Sequence, residues 1–479
     1  MKDNSCHFTD FVGDNPKRSF AREALSHASY YACEYCTAHA AQYKDHDENV
    51  LKNDVFKQQC SEIQRKIKII KESPGTSTSN NDDKIRMLTS ILNDLQTQQK
   101  KYIKHSHLVW PSSTCHGENR TIENIMNIID ENDGEIRRIS SDTLQGFTGK
   151  SLLLEFPQFD FIHGVPCEYM HTICLGVIKK MLVLTFNLGE KRHRSTTRKL
   201  TPPSQFSRRM KNIKVPREFS RRGRNLDISV LKAQELRNIG IIFFPIIVDC
   251  IEKEAKEIRL WLLLAFIVRA CIIPESEYEI VVKQDILNSS HQFYALYEQL
   301  FSVKNCTYNT HVFGSHILDM RTKGPLTMTS AFPFESFYSE LRHSFTPGTV
   351  SPVKQMLQKV CLRRALSHHC CETSIYLCPK DTQLECNSLI YTFINEKHVI
   401  YQIESIDDDN SDILHCLILG RFPVDFPATS GLDWSSVGLY RIGPLSDDIV
   451  TVSRCRVDGK VVRVHDFLLT CSTNILREK

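Results

Sequence analysis

Two cysteines, Cys33 and Cys36, stand two residues apart in HASYYACEYCTAHA (27–40), and no second pair follows nearby. Such a pair is half of a tetrahedral zinc site, a redox motif, or two buried thiols. Far along the chain, NTHVFGSHILD sets His311 and His316 five residues apart, a little over one helical turn or the two sides of a bend. Each pair has an acid nineteen residues away: Asp14 in VGDNPKRSF before Cys33, and Glu335 in FPFESFYSEL after His316. If the two pairs are halves of one Cys2His2 site, closing it brings Asp14 and Glu335 together. Carboxylates converging on a divalent metal are the apparatus of phosphodiester hydrolysis and strand transfer.

Other clusters carry less. GFTGKSLLL (146–154) imitates a phosphate-binding loop, but Leu144 stands where the first glycine is required and no apolar strand precedes it. The backbone nest that cradles phosphates is therefore not encoded. SHHCC (367–371) offers adjacent donors that point in different directions, so one metal could take only two of them. The acidic run 407–409 reads as a solvated turn between strands.

The elements that must position these residues follow from periodicity. FTDFV, ahead of Asp14, has the texture of a short strand. Pro333 fits a first helical turn, and Phe334, Phe337, Tyr338 and Leu341 fall on one face, predicting a buried apolar stripe beside Glu335. Val50, Leu51, Val55, Phe56, Ile63, Ile67 and Ile70 have helical spacing, as do Ile85, Leu88, Ile91, Leu92 and Leu95. PGTSTSNNDD between the two sets predicts a helical hairpin that serves packing or oligomerisation. A further amphipathic helix is expected near Ile122–Ile129. After Cys378 the pattern shifts to β-type runs, with an Asp458-Gly459 turn signal between Val-rich strands, predicting a small antiparallel barrel or sandwich.

Composition sets the outer limits. A chain of 479 residues can hold two to four domains, and 18 scattered cysteines in a chain this large do not make a disulfide-stapled scaffold. The N-terminus has no apolar core of a secretory signal. IGIIFFPIIVDCI and LWLLLAFIVRACII fall short of the roughly 18 uninterrupted apolar residues of a spanning helix, being broken by Pro245, Asp249 and Arg269. They read as buried core helices, with no membrane and no small-molecule substrate implied. Between Lys191 and Arg224 there are thirteen Lys or Arg against one acid, Glu218. That segment is either a solvated charged face or the footprint of an anionic partner such as a nucleic-acid backbone.

Taken in order, the motifs resemble the DDE/D transposases of the CACTA (Tnp2-like) group, and their relatives the Transib transposases and the catalytic subunit of the V(D)J recombinase. CEYMHTICLGVIKKML is similar to that group's Asp-x-x-His helix, with Glu168, Met170 and His171. NLDISVLKAQELRN is similar to its Lys-Ala-x-Glu-x-Arg stretch, and SAFPFESF to the segment bearing its final Glu. The similarity runs from about residue 10 to 372.

The resemblance implies a mixed α/β fold: a partial RNase H-like core interrupted by a large helical insertion, followed by a small C-terminal antiparallel β domain. It divides the chain into a core remnant at 1–45, a helical hairpin at 46–105 and a connector at 106–165. The helical insertion with the basic segment takes 166–300, the His pair and the Glu335 helix complete the core at 301–372, and the β domain takes 380–479. It makes Asp14 and Glu335 catalytic carboxylates and Cys33, Cys36, His311 and His316 structural zinc ligands. Glu168 and His171 then lie on an active-site helix, and Arg208, Arg209, Arg221, Arg222 and Arg224 bind DNA. Cofactors are structural Zn and catalytic Mg or Mn; partners are transposon ends, target DNA and a second copy of the chain; the location is the nucleus.

Only thirteen residues precede Asp14, so the strand bearing the family's first Asp is missing from this sequence. The expectation is an N-terminally truncated transposase with little or no strand cleavage of its own. The rival readings are a domesticated, non-catalytic DNA- or protein-binding module, and an oligomerisation protein built on the helical hairpin.

Overall fold

A computed structural model describes residues 12, 14–25, 29–43, 60–70, 85–94, 107–112, 117–130, 145–186 except 157, 203–213, 227–251, 255–343 except 280 and 282, 351–361 except 352 and 359, and 384–472 except 408–411 and 465. Arg221, Arg222 and Arg224, the SHHCC cluster and most of FTDFV lie outside them. Val12, the described residue of FTDFV, is not in a strand.

The N-terminal part is irregular and held by small elements. Helix α1 (Asn15–Ala21) starts on Asp14, whose carboxylate accepts from the Lys17 amide, with Pro16 in the first turn where its missing N–H costs nothing. Strand β1 (Ala41–Tyr43) pairs antiparallel with β2 (His107–Val109), Gln42 opposite Leu108. Helices α2 (60–70) and α3 (85–94) occupy the two expected arms of the hairpin. The next helix, α4 (Ile122–Asp130), buries Ile125 and Ile129.

A helical body follows. A π-helical stretch Met170–Ile178 runs on into α5 (Lys179–Thr185). Then come α6 (Pro203–Lys211), α7 (Ala233–Ile241), α8 (Phe244–Asp249), α9 (Lys256–Ile272), α10 (Glu275–Tyr278) and α11 (Lys283–Phe301). The two apolar runs of the sequence are core helices, as expected. Every residue of α9 from Leu260 to Ile272 is buried, so the helix is apolar all round because it is surrounded on all sides. Among the described residues, no helix is long and apolar enough to cross a membrane. Helices α12 (Tyr308–Ser315), α13 (Ile317–Met320) and α14 (Phe332–His343) close this part.

The C-terminal part is a closed antiparallel barrel. Its strands are β3 (Leu389–Ile394), β4 (Lys397–Ile406), β5 (Ile413–Phe422), β6 (Leu439–Ser453), β7 (Gly459–Val464) and β8 (Phe467–Ser472). They are ordered β3-β4-β5-β6-β8-β7, with β7 returning to β3, so no edge is left unpaired. Two details correct the sequence reading. Asp458-Gly459 does not join a hairpin: β6 pairs with β8, and β7 with β3 and β8. Asp458 instead accepts the Phe393 amide at 2.6 Å. A tight hairpin turn joins β3 to β4 at Asn395-Glu396, both at positive φ, inside what reads as one apolar run.

The barrel sits directly on the helical body. Trp434, from the loop before β6, is 1% exposed and packs among Phe244, Phe266 and Phe426. Arg269 leaves α9 to donate to the carbonyls of Ile241, Val437, Gly438 and Thr470.

Candidate metal centre and the adjoining acidic cluster

The two halves predicted from the sequence meet. The ligand-capable atoms of Cys33, Cys36, His311 and His316 lie within 4.8 Å of one another, and all four residues are buried. They form a group able to hold a metal ion. Sequence separation of 275 residues is closed to 3.6 Å between Cys36 Sγ and His311 Nε2.

Each side chain is positioned by identifiable neighbours. The Cys33–Cys36 turn is clamped by Arg120, whose Nε donates to the carbonyls of Cys33 at 3.0 Å and Cys36 at 3.1 Å. The Ala38 amide points at Cys36 Sγ at 3.5 Å, a bond that favours the thiolate. Gly117 runs so close to Thr37 and Ala38 that a Cβ there would sit 2.1 Å from the Ala38 nitrogen. His311 lies on α12, started by a Thr307–Thr310 capping box, and its ring stacks on Trp110 with centroids 4.6 Å apart. His316 is the bend where α12 ends and α13 begins. Thus the spacing of five reflects a helix end rather than a shared helical face.

His316 carries the clearest signature. Its Nδ1 is held by Asp319 Oδ2 at 2.8 Å, which turns Nε2 toward the cysteines. Nε2 is buried and faces Cys33 without a well-formed hydrogen bond. A buried polar nitrogen left in this way costs free energy unless a ligand takes it. Without a metal, burial works against the imidazolium, but the Cys33 thiolate and Asp319 outweigh it and push the His316 pKa up to about 10. Burial likewise opposes the Cys33 thiolate, yet the Cys36 thiol and both histidines hold it well below its usual range. The arrangement is charged and proton-rich, the state from which a divalent ion displaces protons on binding. The donor set, two thiols and two imidazoles that are buried and close-set, fits such an ion.

Asp319 also reaches His163 Nε2 at 3.6 Å, whose Nδ1 meets Asp160 at 3.1 Å. Asp319 and Arg120 escaped the sequence reading. The His-x-x-Asp spacing in HILD was the available signal for Asp319, since helical neighbours three apart meet on one face; nothing local marked Arg120.

The acidic cluster is distinct. His171, one-third exposed, bridges two carboxylates: Nδ1 contacts Glu168, and Nε2 lies 3.4 Å from Glu335 Oε1. Its pKa is raised, chiefly by the Glu168 hydrogen bond; burial opposes this, and the charges of Glu168, Glu335 and Asp14 add to it. Glu335 therefore touches this imidazole directly, whereas Asp14 acts on it through its charge alone. Glu168 is 0% exposed and its oxygens accept the amides of Met170, His171 and Ala331, so it fixes the start of the π-helical stretch. It precedes that helix rather than projecting from it. Glu335 lies in the first turn of α14, but the described part of the expected stripe is not buried. Phe334 and Tyr338 are 58% and 68% exposed. The face inferred from periodicity looks outward because α14 docks through Phe332, which is buried against Tyr169 and Arg237.

Of the proposed DNA-binding side chains, Arg208 is exposed on α6 and Arg209 is half-buried, 3.9 Å from Asp249. Comparison with protein-family models, with curated proteins and with solved structures returns no match to this chain.

Proposed function

We propose that the chain is a transposase-derived DNA-binding protein, stapled by one structural zinc ion on Cys33, Cys36, His311 and His316. The observation that carries this reading is the meeting of a Cys pair and a His pair from opposite ends of a 275-residue separation. Zinc is the metal of choice because two thiolates and two imidazoles in a closed, buried set suit a tetrahedral d¹⁰ ion. Bound there, it would add a cross-link between the turn beside α1 and the α12–α13 bend, and no chemistry. On this reading the segments around 14–43 and 302–343 belong to an RNase H-like core, and the helices between them form its insertion.

The parent activity would be Mg- or Mn-dependent cleavage and strand transfer. Among the described residues of these motifs, Asp14 and Glu335 are the carboxylates left for such an ion, since Glu168 is committed to three backbone amides. Asp14 also caps α1 and pairs with Lys17 at 3.7 Å. A two-metal site needs more anionic ligands than this pair supplies. That observation favours the non-catalytic form of the proposal: binding of DNA ends without cleavage.

The test joins metal analysis to DNA binding. Purified protein should contain about one zinc per chain. Neutralising Arg208, Arg209, Arg221, Arg222 and Arg224 together should weaken duplex binding and flatten its dependence on salt. Unchanged affinity and salt slope in that variant would sink the DNA reading while leaving the zinc centre standing.

A further inference from the structure

Behind the Cys33–Cys36 turn lies a small cavity, open at its mouth, lined by Arg22, Arg120 and Glu34 together with Tyr31, Phe147 and Phe161. Both guanidiniums are deeply buried, Arg22 at 3% and Arg120 at 7% exposure. Each spends part of its donor fork on main-chain carbonyls. Arg22 Nη2 donates to Ile162 at 2.6 Å and Val165 at 2.8 Å. Arg120 uses Nε on the cysteine turn and Nη2 on the Gln145 carbonyl at 2.8 Å. This leaves Arg22 Nε, Arg22 Nη1 and Arg120 Nη1 buried with no hydrogen-bond acceptor.

The charge count points the same way. Arg18, 1% exposed, stands beside Arg22, and Glu34 is the carboxylate that answers the pair. Glu34 Oε1 takes Arg18 Nε at 3.0 Å and lies 3.6 Å from Arg22 Nη1, too far for a hydrogen bond. Three guanidiniums against one carboxylate leave two positive charges in this cluster. With a divalent ion bound at the neighbouring centre, its two thiolates cancel the metal's charge and the surplus remains. Buried like charges without counter-charge are costly, and aromatic walls under Arg22 (6.0 Å to Phe161) and Arg120 (5.2 Å to Phe147) stiffen the forks without neutralising them.

We propose that this cavity binds a phosphate-class oxyanion between Arg22 and Arg120. Three guanidinium nitrogens without acceptors, from two forks, suit the oxygens of a tetrahedral anion, and the flanking Phe147 and Phe161 rings lower the local dielectric around each contact. A cation would be repelled, and a neutral ligand would leave the surplus charge in place. Because Arg120 also grips the carbonyls of Cys33 and Cys36, an anion on its free nitrogen would hold the metal-binding turn from behind.

The test uses the full chain in buffer free of phosphate and sulfate. Titration with inorganic phosphate, at ionic strength held constant with sodium chloride, is followed by calorimetry and by melting temperature. Saturable one-to-one binding is expected, with a melting temperature that climbs with the logarithm of phosphate concentration. Arg120→Lys and Arg22→Lys keep the charge but lose the fork, and each should weaken binding about tenfold or more. A 5′-phosphorylated oligonucleotide and its unphosphorylated twin identify the source. Competition by the phosphorylated strand alone makes the ligand a nucleic-acid terminal phosphate, and competition by neither makes it a free anion. A folded wild-type protein with no saturable phosphate binding overturns the proposal, as does full affinity in both lysine variants. Zinc content measured on the same samples keeps this outcome separate from the fate of the metal centre.

Discussion

Two buried histidines, one in each half of the molecule, show how similar surroundings can serve different ends. His398, on β4, is 0% exposed, and both of its nitrogens are engaged: Nδ1 with the Tyr440 hydroxyl at 2.9 Å, Nε2 with Glu277 at 2.9 Å. Glu277 comes from α10 in the helical body, and its other oxygen takes the Tyr391 hydroxyl at 2.9 Å. This network is closed and joins barrel to helices. His316 is also buried beside a carboxylate, but one nitrogen lacks a well-formed hydrogen bond and two thiols stand opposite it. A satisfied buried histidine fastens; a half-satisfied one among soft donors waits for a ligand.

The sharpest way to break that contrast is to remove the metal ligands. His316→Ala or Cys33→Ser should abolish stoichiometric zinc and unfold the 29–43 region, because structural zinc in small sites is worth about 10–16 kcal/mol at neutral pH. Metal analysis and chelator-dependent melting would read this, and full zinc retention in both variants would refute the shared centre. His398→Ala should leave zinc untouched.

Next in size, Glu277→Ala would strip His398 and Tyr391 of their buried partner. The expected cost is about 3–5 kcal/mol by denaturant unfolding, again with unchanged metal content. Asp319→Asn should act on the other histidine alone, lowering zinc affinity about 10–100-fold in competition with a chelating dye while the apo-protein's stability moves little.

The smallest effect concerns a third histidine, one-third exposed. His171 binds its proton more tightly in the folded chain than the ordinary value of 6.5, so its contribution to stability is complete below about pH 6.5 and is lost as pH rises through the raised value. His171→Gln should therefore lose stability relative to wild type at low pH and match it at high pH. The difference stays under about 1 kcal/mol because the ring is partly solvated. A stability gap independent of pH would show that the ring acts through packing instead.

Much of the centre was legible because it is written in residue type and spacing. Cys-x-x-Cys, a His pair and flanking acids are local signals, and the long-range pairing follows from counting donors. The barrel was legible from alternating apolar runs, although its strand order was not. Asp458-Gly459 has the chemistry of a tight turn, whereas the turn that forms at Asn395-Glu396 depends on asparagine tolerating positive φ beside a glutamate forced to follow. The aromatic stripe of α14 misled because periodicity reports that a helix has an apolar face, not that a neighbour covers it. Arg120, Arg22 and Glu34 gave no warning, since what makes them notable is the company each keeps with Cys33, Ile162 and Tyr308, across 87, 140 and 274 residues of chain.

The four carbonyls gathered by Arg269 carry a consequence for how the molecule comes apart. One belongs to the end of α7 and three to the barrel and the loop before β6, so neither compartment can loosen without stranding a buried cation. Helices and barrel should therefore melt in a single cooperative transition. Calorimetry should record one peak, and replacing Arg269 with methionine should split it into two.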